Sequence, residues 1–231
     1  MKRIGLVGGL GPEATLDYYR GIIEGARDEA DGINSPEIIV YSANLREAYD
    51  IVESGDRERL IEWLLEKIGA LAAAGAEFAA ITANTAHMVF DELAARSPLP
   101  LISIVGTCCE AVQRMGFKRG GLMGTRFTMQ ADFFQIPFRR QGIDLIVPTA
   151  EEQDLIHHKL FSEIEVGIIR EETREALLAI VRRMIERDGI EFLVLGCTEL
   201  PLILPEEAFG IPLLNTTALH VESIVAECLA S

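Results

Sequence analysis

The chain has 231 residues, nearly half of them hydrophobic, and a formal net charge of −15. That is enough apolar sequence for one large core or two small ones. The acidic balance excludes a generic affinity for nucleic acid or anionic membrane surfaces, so an anionic ligand would have to be met by local donors.

No apolar run is long enough for a membrane span. Met1-Lys2-Arg3 passes straight into Ile4-Gly5-Leu6-Val7, which is too short and too glycine-rich for a secretory signal. The four cysteines, Cys108, Cys109, Cys197 and Cys228, include no CxxC pair. The expectation is a cytoplasmic protein with reduced thiols rather than a disulfide framework.

In chain order, short apolar runs at residues 4–7, 37–41, 78–81, 101–105, 121–123, 144–147, 192–195 and 212–214 predict strands. Most are continuously apolar, as in a parallel sheet covered on both faces. Amphipathic stretches lie between them. Residues 59–73 carry Leu60, Leu64, Ile68 and Leu71 at helical spacing, and residues 173–185 carry Ala176, Leu177, Ile180, Val181 and Met184. Strands alternating with helices predict an α/β architecture.

The sequence also repeats itself. Gly75-Ala76-Glu77-Phe78 returns as Gly189-Ile190-Glu191-Phe192, and continuing that alignment sets Ala83 opposite Cys197. Three further pairs keep the same order. Lys2-Arg3-Ile4-Gly5-Leu6-Val7-Gly8 matches Lys118-Arg119-Gly120-Gly121-Leu122-Met123-Gly124. Asp17-Tyr18-Tyr19 matches Asp132-Phe133-Phe134, and Leu99-Pro100-Leu101-Ile102 matches Ile211-Pro212-Leu213-Leu214. The period is far too long for a solenoid. It predicts two similar α/β domains, each with about four parallel strands. The expected division is residues 1–98 plus 210–231, and residues 99–209.

Ligands of open parallel sheets bind beyond the carboxyl ends of the strands. Candidate chemistry therefore lies in residues 8–12, 42–46, 82–87, 124–128 and 196–199, which are rich in glycine, hydroxyls and amides. Gly8-Gly9-Leu10-Gly11 departs from GxGxxG and reads first as a tight turn, with backbone contact to a small ligand around Leu10 still compatible. Cys197 has two readings: a small buried hydrophobe, or a thiol at a helix start whose pKa is lowered. Cys108, Cys109 and Cys228 read as packing residues. His87 reads as a polar residue of a first helical turn, with a base as the sharper alternative. His157, His158 and His220 read as solvated helix positions without metal-ligand spacing. Arg46 and Arg126 are either surface charges or partners for an anion.

Taken together, IGLVGGLGPEAT, the segment ending NTAH, GTRFTM and LGCTEL resemble the aspartate/glutamate racemase superfamily, across essentially the whole chain. GTRFTMQADFF looks most like the L-aspartate/glutamate-specific racemases. The resemblance implies a cofactor-independent amino-acid racemase of two pseudosymmetric α/β domains. It further implies a homodimer and an active site in the cleft between the domains. Two cysteines flank the substrate Cα in typical members, one removing a proton and the other returning it. Carried over, Cys197 matches the second cysteine. Asn84, Thr85, Thr125, Thr128 and Thr198 fall where the family holds the α-carboxylate and α-amino groups, and Arg46 falls near a side-chain carboxylate site.

Two positions depart from that pattern. Ala83 stands at the first cysteine position, and a methyl group cannot carry a proton. Neighbouring Thr82 points differently and is a poor base unaided. Glu165 falls roughly where some aspartate racemases place a lysine, and would repel an acidic side chain. Three functions therefore remain in view: a racemase with altered or weak activity, a single-cysteine decarboxylase or isomerase of a small dicarboxylic acid, and a non-catalytic binder of small acids. None of them requires a metal, nucleic acid or membrane.

Overall fold

The computed structural model describes residues 1–27 and 33–230. Among these, no helix is long and apolar enough to cross a membrane. The chain divides into two compact units, Met1–Ile104 with Thr217–Ser231, and Val105–Thr216.

The first unit begins with β1 (Ile4–Gly8), α1 (Pro12–Ala26), β2 (Ile38–Ser42), α2 (Leu45–Ser54) and α3 (Arg57–Ala73). It continues with β3 (Phe78–Ile81), α4 (Phe90–Arg96) and β4 (Leu101–Ile102). Its strands pair in the order β2-β1-β3-β4, all parallel. Central β1 and β3 are buried at every residue, which is why their sequences are apolar without alternation. α3 buries Leu60, Leu64, Ile68 and Leu71 against this sheet, and each such side chain contributes roughly 1.5–3 kcal/mol. Local signals set the helix ends. Asn44 and Asp56 accept backbone N–H bonds at the starts of α2 and α3, and Gly55 closes α2 in the left-handed region.

α5 (Ile104–Met115) opens the second unit, followed by β5 (Arg119–Met123), α6 (Arg126–Gln130), α7 (Gln135–Arg140) and β6 (Asp144–Ile146). Then come α8 (Ala150–Ser162), α9 (Glu171–Asp188), β7 (Phe192–Leu195), β8 (Glu207–Ala208) and β9 (Ile211–Asn215). The order is β6-β5-β7-β9-β8, parallel except for β8. Apart from β8, this repeats the order of the first sheet. The register repeats too: Ile4 lies opposite Phe78, and Gly120 lies opposite Phe192. α10 (Thr216–Leu229) returns to the first unit, where Val221, Ile224, Val225 and Cys228 pack with Ile4, Tyr18, Ile22 and Phe78.

Three details differ from the sequence expectation. The strand expected at residues 101–105 stops at Ile102, because the chain is helical from Ile104. The two-residue β8 is additional. The units divide after Ile104 and Thr216 rather than after residues 98 and 209. Each fourth strand pairs with the third strand of its own half, β4 with β3 and β9 with β7, so the crossings follow those strands instead of preceding them.

Candidate functional site

In the second unit, the loops after β5 and β7 meet through two glycines. A Cβ at Gly124 would lie 2.9 Å from the Gly196 carbonyl oxygen, and one at Gly196 would lie 2.9 Å from the Thr128 methyl group. The absence of side chains lets these strand ends approach closely. Thr125 accepts the Thr128 N–H at 3.3 Å and caps α6, and the two hydroxyls lie 3.2 Å apart. Both threonines are buried.

Cys197 follows directly. Its thiol donates to Glu199 Oε2 at 3.0 Å, and the Thr198 hydroxyl donates to the same oxygen at 2.8 Å. Glu165, from the short 3-10 turn Ile164–Val166, brings a third acid group. One ligand atom each from Glu165, Cys197 and Glu199 lie within 4.8 Å of one another. The helix start expected at Cys197 is instead a three-residue 3-10 turn, Leu200–Leu202. The thiol pKa is accordingly pushed well up, not down. Burial is the main cause, followed by the charge and hydrogen bond of Glu199 and then the charge of Glu165. The group is a protonated thiol hydrogen-bonded to a carboxylate.

In the first unit, the loop after β1 uses glycine of necessity. Gly9 and Gly11 have φ of 80° and 134°, and a Cβ on Gly9 would lie 2.3 Å from the Ala43 carbonyl oxygen. Leu10 is half-buried between them and packs on the core beneath. Thr15 ties the loop together, accepting the Gly9 N–H at 2.9 Å and lying 3.3 Å from the Thr82 hydroxyl. Ala83 and Asn84 are buried, and Thr85 starts the 3-10 turn Thr85–Val89. Thr82 points its hydroxyl back at the Val7 carbonyl, at 3.4 Å.

The histidines of this unit are structural. His87 donates from Nδ1 to the Ala83 carbonyl at 2.8 Å and accepts the Ile104 N–H on Nε2 at 3.2 Å. Both ring nitrogens are therefore used, and burial lowers the pKa to about 4. His220, expected on a helix surface, is fully buried. It donates from Nε2 to the Ile102 carbonyl at 3.0 Å and accepts the Tyr18 hydroxyl on Nδ1 at 2.7 Å. Burial holds its pKa near 3.

The two arginines already have acidic neighbours. Arg126 pairs with Asp154 at 2.8 Å. Arg46 lies 4.0 Å from Asp50, with its side chain 83% exposed. His157 is partly buried, edge-on to Phe127 and Phe161, rather than fully solvated. Cys108, Cys109 and Cys228 are buried, as packing residues would be, and none of the four cysteines is in a disulfide.

The Asp/Glu/hydantoin racemase family matches residues 7–224. The chain belongs to that family. Its fold superposes on a Yersinia pestis protein described as a candidate Asp/Glu racemase, with a TM-score of 0.92 and 30% identity over the full length of both chains. An aspartate racemase homologue from Pyrococcus horikoshii OT3 gives 0.87 at 32% identity, again over 100% of both chains. The broad specificity amino-acid racemase RacX of Bacillus subtilis (strain 168) is 21% identical over 98% of each chain.

Within the second unit, the structure brings Cys197 and Thr198 together on one carboxylate and Thr125 and Thr128 together on a neighbouring loop. Sequence reasoning did not assign Glu199 a role. Its signal was an acid two residues beyond a cysteine in a strand-end loop. Glu165 came into view only through the family resemblance, because nothing in local spacing links residue 165 to residue 197.

Proposed function

We propose that this chain is a cofactor-independent amino-acid racemase in which Cys197 is the principal acid/base. The observation that carries this reading is the Cys197 thiol hydrogen-bonded to Glu199 at 3.0 Å, at the end of β7 in a racemase-family chain. Glu199 takes the thiol proton, and the thiolate then removes the proton from the substrate Cα. Hydroxyl donors of the second unit, Thr125 and Thr128, stabilise the carbanion-like state by holding the α-carboxylate.

With Cys197 as the single acid/base, the other face is protonated by water. The hydroxide left behind is neutralised by the proton held on Glu199. Return from Cys197 regenerates the starting enantiomer, carrying deuterium once the thiol hydrogen has exchanged with solvent through Glu199, and return by water gives the other. General acid–base assistance is worth about 10²–10⁴-fold, so inversion is the slow outcome.

The alternative reaction, decarboxylation of a small dicarboxylic acid, also needs only one protonated face. It would place a dianion against Glu165 and Glu199, which disfavours it. Incubation of amino acids in D₂O tests the racemase reading. Deuterium should enter Cα, with the configuration retained more often than inverted. Release of CO₂ from substituted malonates, without amino-acid exchange, would overturn it.

A further inference from the structure

We propose that His157 is a positioning residue for the Thr125 and Thr128 hydroxyls: it holds the start of α6 by accepting the Arg126 N–H, and protonation of its ring releases that hold. The proposal rests on the racemase reading above, in which the two hydroxyls hold the substrate α-carboxylate. Arg126 is the first residue of α6, so its N–H has no carbonyl partner within the helix. His157, half-buried on α8, accepts that N–H on Nδ1 at 3.4 Å. The neutral ring then carries its proton on Nε2. Phe127 and Phe161 stand edge-on to the imidazole, with ring centroids 6.4 and 4.6 Å away, and hold its plane. The Thr125 hydroxyl accepts the Thr128 N–H across the same turn, so a shift of Arg126 moves both threonines.

Two further contacts join α6 to α8. The Arg126 guanidinium pairs with Asp154 at 2.8 Å, and the Gln130 amide donates to Gln153 at 3.3 Å. The first is exposed and contributes little. The second lies at the far end of the helix. The bond through His157 adjoins Thr125 and is flanked by two aromatic rings. An imidazolium carries an N–H on both nitrogens, so it cannot accept, and its Nδ1–H would face the Arg126 N–H. Burial disfavours that cation most, and the charge of Arg126 on α6 adds to this; on α8, Asp154 favours the cation and His158 opposes it. The balance holds the ring below its ordinary pKa of 6.5, so the ring is neutral at neutral pH and the hold is lost only in acid.

The test compares the full chain with His157→Asn, whose side-chain oxygen can accept the same N–H, and His157→Leu, which cannot. Cα exchange in D₂O is measured with the common L-amino acids, and kcat/KM is followed between pH 5 and pH 8 for the fastest. At pH 8, His157→Leu should lower kcat/KM by about three- to ten-fold, the worth of one neutral hydrogen bond. His157→Asn should recover most of the loss. The ratio of native to His157→Leu should fall toward one as the pH drops below 6.5, because the native ring then loses its acceptor. Equal losses in the two variants, or a ratio that is constant with pH, would overturn the proposal. Nuclear magnetic resonance of the native protein needs no catalysis: the Arg126 amide should titrate together with the His157 ring, and an Arg126 amide indifferent to that ring would also overturn it. Joint titration without Cα exchange for any amino acid would sink the racemase reading and sustain the hold of His157 on α6. Cys197-dependent exchange without joint titration would sustain the racemase reading and sink the role of His157.

Discussion

The ends of β3 and β7 share a backbone and differ in chemistry. The Thr82 N–H bonds the Val7 carbonyl at 3.0 Å, and at the matching place the Gly196 N–H bonds the Met123 carbonyl at 2.6 Å. Each strand is fully buried, and each leads into a short 3-10 turn. The next residue is a methyl group in one unit and a thiol between carboxylates in the other. Beyond it, the first unit continues to a buried neutral histidine, His87, and the second to an acid, Glu199. The sheet therefore fixes where chemistry can occur, and a few side chains decide whether it does.

The largest effect should come from removing the thiol half of that pair. Cys197→Ala should lower Cα exchange by about 10²–10⁴-fold while the circular dichroism spectrum is unchanged. Supplying the missing half should work in the opposite direction. Ala83→Cys should raise the inversion rate, by up to about 10²-fold, and bring the rates of retention and inversion closer together. An unchanged stereochemical ratio would show that the two strand ends are not functionally equivalent.

The fully buried histidines of the first unit predict a pH effect. Unfolded, each takes up a proton near 6.5. Folded, His87 does so at about 4 and His220 at about 3. Below 6.5 the unfolded chain therefore binds more protons than the folded one. Their contribution is fully present above pH 6.5 and declines as the pH falls toward 4 and then 3. The loss should amount to roughly 3 kcal/mol per histidine at the acid end. Urea denaturation between pH 7 and pH 4 measures it, and replacing His220 by Asn should flatten the slope.

A smaller effect tests the packing difference. In the second unit, the Phe192 ring occupies the space beside Gly120, where a Cβ would come within 2.1 Å of it. Gly120→Ala should therefore cost about 1–3 kcal/mol. Gly5→Ala in the first unit meets its nearest atom, the Ala76 Cβ, at 3.0 Å and should cost less. Thermal melts of the two variants compare them directly.

Much of this comparison was legible in the sequence, because continuous apolar strands and a long-period repeat are local patterns. Ala83 opposite Cys197 came from alignment alone. What escaped depended on tertiary packing. β8 has two residues and no periodicity to read. His220 looks like any polar residue of a C-terminal helix until Tyr18 and the Ile102 carbonyl enclose it. One of the two readings of Cys197 lowers its thiol pKa, on the strength of a helix that does not form there; the pKa rises because burial and two carboxylates surround it. The placement of residues 99–104 and 210–216 likewise turned on strand pairing, which two similar strands cannot reveal from sequence.

The most direct test is the fate of the α-proton when an L-amino acid is incubated with the protein in D₂O and the product is resolved by chirality. The account predicts Cys197-dependent deuterium at Cα, appearing faster in the retained L-enantiomer than in the D-enantiomer. Absence of exchange for every amino acid, or exchange that persists unchanged in Cys197→Ala, would contradict it.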